Sequence, residues 1–259
     1  MNIINILKST INKEMQNEEG RVIYSNLDTF AKGNIYFLGL NPGGELNKSG
    51  SMIISEDLDF LLNHPTRYSV NAYYDEKWGK DGKEWSQPQI RIINFFKSLP
   101  KSLNLKCNDE NRFKQQFKKI FCSNFVFKRS KNSKGVSKSE ICWNSQKFII
   151  DDIVKPCVII TFSKLCYNEF LAKFIKLKEI SIYSFNRNDK NKRRMNEPKL
   201  SCDEYKNKLL VYIPHFSRNR WDKEQNNRGK IEFLEKLDST ISTFLNNRKS
   251  GEYSKWFKE

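Results

Sequence analysis

Four short runs constrain this chain more than anything else in it: "NIYFLGL" (34–40), "KIFCSNFVF" (119–127), "CVIITF" (157–162) and "KLLVYI" (208–213). Each is rich in β-branched or aromatic residues, nearly continuous in apolar character, and bounded by turn residues. A strand with one wet face alternates apolar and polar residues. A strand without alternation is buried on both faces, the condition of a parallel sheet covered by helices. The intervening segments supply those helices. "SQPQIRIINFFKSL" (86–99) offers Ser86 as an N-cap and apolar residues at Ile90, Ile93, Phe96 and Leu99 along one face. Residues 137–154 open with Ser137-Lys138-Ser139-Glu140, a capping-box spacing, and 163–176 and 230–245 are amphipathic. Strands alternating with helices predict the α/β class: a three-layer α/β/α sandwich with a short, mainly parallel central sheet.

No repeat or linker divides the 259 residues, so a single domain over 1–259 is expected, with polar insertions at about 44–85 and 186–206. The first insertion is aromatic-rich and shows no sustained period, and connections of that length are uncommon unless functional or disordered. The six cysteines (107, 122, 142, 157, 166 and 202) form no C-x-x-C pair, and several sit inside apolar runs, which predicts reduced core thiols. No run approaches the ~18–20 apolar residues of a membrane span, and "MNIINILKSTINKEM" carries charge too early for a secretory signal. A soluble, cytoplasmic protein without membrane association is expected.

The formal charge of +16 needs discounting, because a Lys-, Asn- and Ile-rich composition is what an AT-rich gene encodes. Its placement says more. "FKRSKNSKGVSK" (127–138) carries five cations and no acid, and 187–199 and 218–230 carry six and five cations against two acids each. Basic charge gathered in loop-like segments is the pattern of a phosphate-contacting surface.

In an open α/β sheet, ligands bind outside the carboxyl ends of the strands. There the first strand ends in Asn41-Pro42-Gly43-Gly44, and the second holds Asn124 and runs into Lys128-Arg129. The third ends at Ser163, and the fourth in "IPHFSRNRW", with His215, one of two histidines in the chain.

The set "GLNPGG" (39–44), "SNFVFKRS" (123–130) and "HFSRNRW" (215–221), in this order and at strand ends, resembles the uracil-DNA glycosylase superfamily. The first motif is similar to the G-x-N-P-G form of its single-strand-selective and mismatch-specific members, and the last to the H-P-S-P-R-N form of the single-strand-selective ones. Residues 140–170 look like the helix, strand and helix of the iron–sulfur members. The resemblance implies a monofunctional DNA N-glycosylase that hydrolyses the N-glycosidic bond of a flipped-out uracil or C5-modified pyrimidine and leaves an abasic site. It implies single- or double-stranded DNA as partner, a monomer, and no metal or cofactor.

By the same resemblance, Asn41 and His215 are catalytic. Asn41 holds the attacking water and His215 hydrogen-bonds the pyrimidine O2. An amide has no proton-accepting pKa near neutrality, so Asn41 implies positioning rather than base catalysis. Gly39, Leu40, Pro42, Gly43, Ile53 and Asn124 would form the base pocket, with Asn124 reading the pyrimidine edge. Lys128, Arg129, Phe216, Ser217, Arg218, Asn219, Arg220 and Trp221 would contact DNA. Gly43 stands where the strictest uracil enzymes carry a Tyr that blocks C5, so space for a C5 substituent is expected. Some members attack hypermodified bases of phage DNA, which leaves repair and anti-phage defence both open.

The departures from the pattern define the alternatives. Phe216 replaces a Pro. Ile53 is the nearest match to the stacking aromatic, whose place could instead be taken by Tyr68, Tyr73, Tyr74, Trp78 or Trp85. Lys128 occupies one cluster Cys position and Cys142 alone lies near another, so no iron–sulfur cluster is expected. A catalytically inactive DNA-binding member of the same fold is the second reading. A different nucleic-acid hydrolase is the third, weakened because no carboxylate cluster for two metals stands at the strand ends. Glu45, Glu56, Asp57 and Asp59 read as solvated loop charges that could otherwise host a metal or a replacement base.

Overall fold

The computed structural model describes residues 2–30, 35–44, 46, 51–105, 109–131, 136–173, 177–180, 199–203, 208–213 and 228–250, with side chains left out at 177–180, 199–203, 228–230 and 247–250. The elements in chain order are α1 (Ile3–Ser9), α2 (Lys13–Gln16), β1 (Ile35–Gly39), α3 (Ile54–Asn63), α4 (Ala72–Asp75), α5 (Gln87–Lys97), α6 (Glu110–Lys118), β2 (Phe121–Asn124), α7 (Trp143–Lys147), β3 (Val158–Thr161), α8 (Lys164–Lys173), β4 (Leu177–Ile180), β5 (Lys199–Asp203), β6 (Lys208–Tyr212) and α9 (Arg228–Ser250). The class is the expected one, α/β with short parallel strands between helices. By contact density the chain forms two compact units, Met1–Asp75 with Lys118–Pro156, and Glu76–Phe117 with Cys157–Glu259.

In the first unit β1 pairs with β2 in parallel, Tyr36 opposite Phe121, Phe37 opposite Cys122, Leu38 opposite Ser123 and Gly39 opposite Asn124. Every residue of both strands is buried, which is why neither run alternates. Tyr36, Phe37, Phe121, Phe125 and Phe127 form the core with Ile149 and Ile150. The expected helix over 137–154 is broken into pieces. Glu140 accepts from the Ser137 N–H at 2.8 Å, as the capping-box spacing requires, but the turn it starts is a single 3-10 turn, Lys138–Glu140. The chain then winds through α7 into a π-helical turn, Phe148–Ile153.

Part of the first insertion is ordered as α3, contrary to its aperiodic reading. Ile54, Leu58 and Leu61 of α3 are buried at helical spacing, but so is Asp57, whose charge in sequence looks like a solvent position. Asp57 Oδ1 lies 2.9 Å from Arg67 Nη1 and 3.5 Å from Arg21 Nε. Arg67 in turn lies over the rings of Phe60 and Tyr68, and Arg21 over Tyr24. One carboxylate thus ties α3 to the chain on both sides of it.

In the second unit the strand order is β3-β6-β5-β4, with β3 and β6 parallel and β4 and β5 antiparallel additions. β5 falls inside the stretch read as the second insertion. α5 begins where expected: Ser86 caps it, Gln89 accepts back from the Ser86 N–H at 2.9 Å, and Pro88 occupies the first turn, where a missing N–H costs nothing. Phe95, Phe96, Phe113 and Phe117 pack together, and Phe233, Leu234, Leu237, Ile241 and Phe244 make the buried stripe of α9. Buried Asp238 of that helix accepts from the backbone N–H groups of Lys101 and Ser102 at 2.9 and 2.8 Å.

The four cysteines whose side chains are described are free, with Cys122, Cys157 and Cys166 buried and Cys142 half-buried. Burial pushes the thiols of Cys122 and Cys166 up to about 12 and that of Cys142 up to about 11, which suits inert packing residues. Among the described residues no helix is long and apolar enough to cross a membrane.

Asp57→Ala should cost about 3–5 kcal/mol of stability, because it leaves two largely buried guanidinium groups without their shared carboxylate. Urea unfolding followed by circular dichroism measures this. A loss below about 1 kcal/mol would show that the ion pair contributes no more than a surface one.

Candidate functional site

The register of β1 and β2 sets the site. Beyond their last paired residues, Gly39 and Asn124, the two chains run on together: Phe125 N–H donates to Gly39 O at 2.9 Å, Val126 N–H to Leu40 O at 2.8 Å, and Ser130 N–H to Pro42 O at 3.1 Å. The other side of β2 is held by the segment 19–24. Tyr24 N–H donates to Cys122 O, Arg21 N–H to Phe127 O, and Glu19 O accepts from Arg129 N–H at 2.7 Å. Gly20 is required there, since a Cβ would run into the Phe127 carbonyl.

Asn124 is only 2% exposed, and its Nδ2 has no hydrogen-bond partner. A buried donor left unpaired costs about 1–3 kcal/mol, and such groups are kept where something else supplies the acceptor. The backbone beneath it is fixed by Gln146, fully buried, whose Nε2 donates to Asn124 O at 2.7 Å while its Oε1 accepts from the Tyr36 hydroxyl at 2.9 Å. The amide's room comes from Gly39, where a Cβ would collide with Asn124 Oδ1. The Tyr73 hydroxyl borders the same space, 3.4 Å from that Cβ position. Burial raises the Tyr73 pKa well above its ordinary value, so the group stands there as a neutral hydroxyl.

Asn41 is half-buried at the end of β1. Its Nδ2 donates to Pro42 O at 2.9 Å and to Ser130 O at 3.4 Å. Two carbonyls facing one end of an amide require that end to be the NH2. Oδ1 is therefore the free end, and it accepts no hydrogen bond among the described residues. Pro42 is buried, while Gly43 and Gly44 are exposed. A Cβ on Gly43 would meet nothing within 4 Å, so the expected space is there; Gly44 has φ +116°, which only glycine adopts without strain.

The register thus brings together Gly39, Leu40, Asn41, Pro42, Gly43 and Asn124. Ile53 lies apart from them. It bridges Glu19, on the far side of the 19–24 segment from Lys128, so that segment and 128–130 both lie between it and Gly43. Of the alternative rings in this unit, Tyr68 and Tyr73 are buried, and Tyr73 has Tyr24 stacked 5.5 Å away and Phe37 edge-on at 5.4 Å. Its hydroxyl, not its face, points to Gly39. In the other unit Trp78 is exposed, and Lys77 Nζ lies 3.7 Å from the Trp85 ring centroid.

The two cations at the end of β2 are occupied within the protein. Lys128 Nζ lies 3.1 Å from Glu18 and 3.8 Å from Glu140. Arg129 Nη1 donates to Gly43 O at 2.7 Å, and its Nε faces Glu19 at 4.0 Å. The acids after strand one also have structural uses: Glu56 accepts from Ile53 N–H, Asp57 holds the arginines, and Asp59 pairs with Lys8 at 2.8 Å. Glu45, His215, Phe216, Ser217, Arg218, Asn219, Arg220 and Trp221 lie outside the described residues. No group of three or more His, Cys, Asp or Glu among the described residues could hold a metal ion.

Sequence reasoning missed Gln146 and the 19–24 segment. The apolar "RVIY" (21–24) between polar stretches is the signal that could have revealed a further extended piece. No protein-family model matches the chain, and no curated protein matches it.

Gly39→Ala should push the Asn124 amide aside at a cost of about 1–3 kcal/mol, the usual penalty for overfilling a packed site. Thermal unfolding together with the Asn124 side-chain amide signal in an NMR spectrum would test this. An unmoved signal at unchanged stability would mean the amide has room to spare.

Proposed function

We propose that the chain is a monofunctional DNA glycosylase that removes a flipped-out uracil or C5-modified pyrimidine and leaves an abasic site. The observation that carries this reading is the unpaired, buried Nδ2 of Asn124, two residues in register from an Asn41 whose Oδ1 is also uncommitted. A buried N–H without an acceptor suits a base that presents an acceptor to it, and where that contact falls at C4 it fits the carbonyl of a 4-oxo pyrimidine and not the amino group of cytosine. Open space at Gly43 suits a substituent on C5.

The chemistry asked of these groups is limited. The C1′–N1 bond breaks with its electron pair going to the base, and a water oxygen bonds to C1′ and releases its proton to solvent. Asn41 Oδ1 would accept a hydrogen bond from that water and aim its lone pair at C1′. Asn124 Nδ2 would donate to the base as negative charge grows on its carbonyls, in a site already organised before the charge appears. For His215, which follows β6 in sequence and lies outside the described residues, the family resemblance alone suggests the second donor's role.

DNA containing uracil, 5-hydroxymethyluracil or glucosylated hydroxymethylcytosine, incubated without metal and then treated with alkali, tests the reading. Alkali-dependent breaks are expected at a 4-oxo base, slowed about 10²-fold or more in Asn41→Ala and about 10²–10³-fold in Asn124→Ala. Binding without breaks across the panel would replace this reading with that of an inactive DNA-binding protein. Metal-dependent breaks without alkali would make it a nuclease.

A further inference from the structure

We infer that Arg129 is a positioning residue: its guanidinium clasps the Asn41–Gly44 turn and so aims the Asn41 amide, rather than contacting DNA phosphate. The inference deepens the glycosylase reading and rests on it for the catalytic consequence, but its structural content stands alone. Two of the turn's four residues are glycines, so contacts from outside it are needed to fix its shape beyond Pro42. Arg129 and Ser130 do so from the neighbouring chain. Arg129 Nη1 donates to Gly43 O at 2.7 Å, Ser130 N–H donates to Pro42 O at 3.1 Å, and Ser130 O accepts from Asn41 Nδ2.

The guanidinium is itself seated. Its Nη1 comes so near Gly44 that a Cβ there would lie 2.9 Å away, and its buried Nε has no hydrogen-bond partner and faces Glu19 at 4.0 Å. A planar fork can address Gly43 on one arm and the Glu19 carboxylate from another edge; a lysine ammonium on a flexible stem offers one point. Arg129 N–H also donates to Glu19 O, so backbone and side chain hold the same neighbour. The carbonyl of Gly43 and the carboxylate of Glu19 thus already engage the groups that a phosphate contact would need.

The two roles leave opposite traces in Arg129→Gln and Arg129→Lys. The clasp predicts that hydrogen exchange at the Ser130 amide, which reports the bond to Pro42 O, speeds up about tenfold or more in both variants. It predicts that the dependence of DNA affinity on salt keeps its slope in both, and that kcat falls about 10²-fold with KM little changed. A phosphate contact predicts the reverse: a salt slope shallower by about one in Arg129→Gln, restored in Arg129→Lys, with Ser130 exchange unchanged in both. That result would overturn the inference, as would unchanged Ser130 exchange on its own. Arg129→Lys keeps the charge and serves if the Gln variant does not fold. If the wild-type protein produces no abasic sites, exchange still decides the role of Arg129, and only the glycosylase reading falls.

Discussion

The first unit depends on one register: β1 and β2 side by side in parallel, with Gly39 opposite Asn124. Because both strands are buried on both faces, hydrophobic burial alone would tolerate several alignments. The polar groups remove that freedom. Gln146 joins the Tyr36 hydroxyl on β1 to the carbonyl at the end of β2, and the Asn124 amide fits only beside a residue without a Cβ. A slip by one residue would put Leu38 or Leu40 against that amide. The same pairing then carries the two chains on to Gly43 and Ser130, so the placement of Asn41 follows from the placement of Asn124.

The strands were legible in the sequence because continuous apolar runs have one common explanation in a chain of this composition. All four expected strands are present, three of them within one residue of their expected bounds, and β2 (Phe121–Asn124) shorter than its apolar run 119–127. What escaped was structure stabilised by buried polar groups. Asp57 on α3 and Gln146 on α7 look like solvent positions in a pattern of apolar spacing, yet each is buried and anchors a distant segment. Pattern reading assigns polarity to the outside, and it fails wherever a polar residue serves as an internal tie. β4 and β5 escaped for a different reason: their short polar sequences carry little periodicity, and their ladder, β5 on β6 and β4 on β5, creates them.

The candidate site divides along the same line. Asn41, Gly43 and Asn124 were legible because strand ends are where an open α/β sheet exposes backbone and side chains to ligand. Lys128 and Arg129 were legible only as charge. Their count said nothing of Glu18, Glu19 and Glu140, which come from elsewhere in the chain and meet them in space. Part of the excess positive charge of the 127–138 stretch is therefore neutralised inside the protein.

The identity of residue 41 explains why its surroundings are so closely tied. A carboxylate at this position could take a proton from water and would tolerate some misplacement, because proton transfer supplies part of the driving force. An amide takes no proton, so under the glycosylase reading its whole contribution is direction. Direction is lost with small displacements, and the two glycines that follow Pro42 contribute little stiffness with which to resist them. Two hydrogen bonds donated by Arg129 and Ser130, and one that Ser130 O accepts from Asn41, supply that stiffness from outside the turn. An enzyme of this design would lose rate through anything that loosens the clasp, even with Asn41 itself intact.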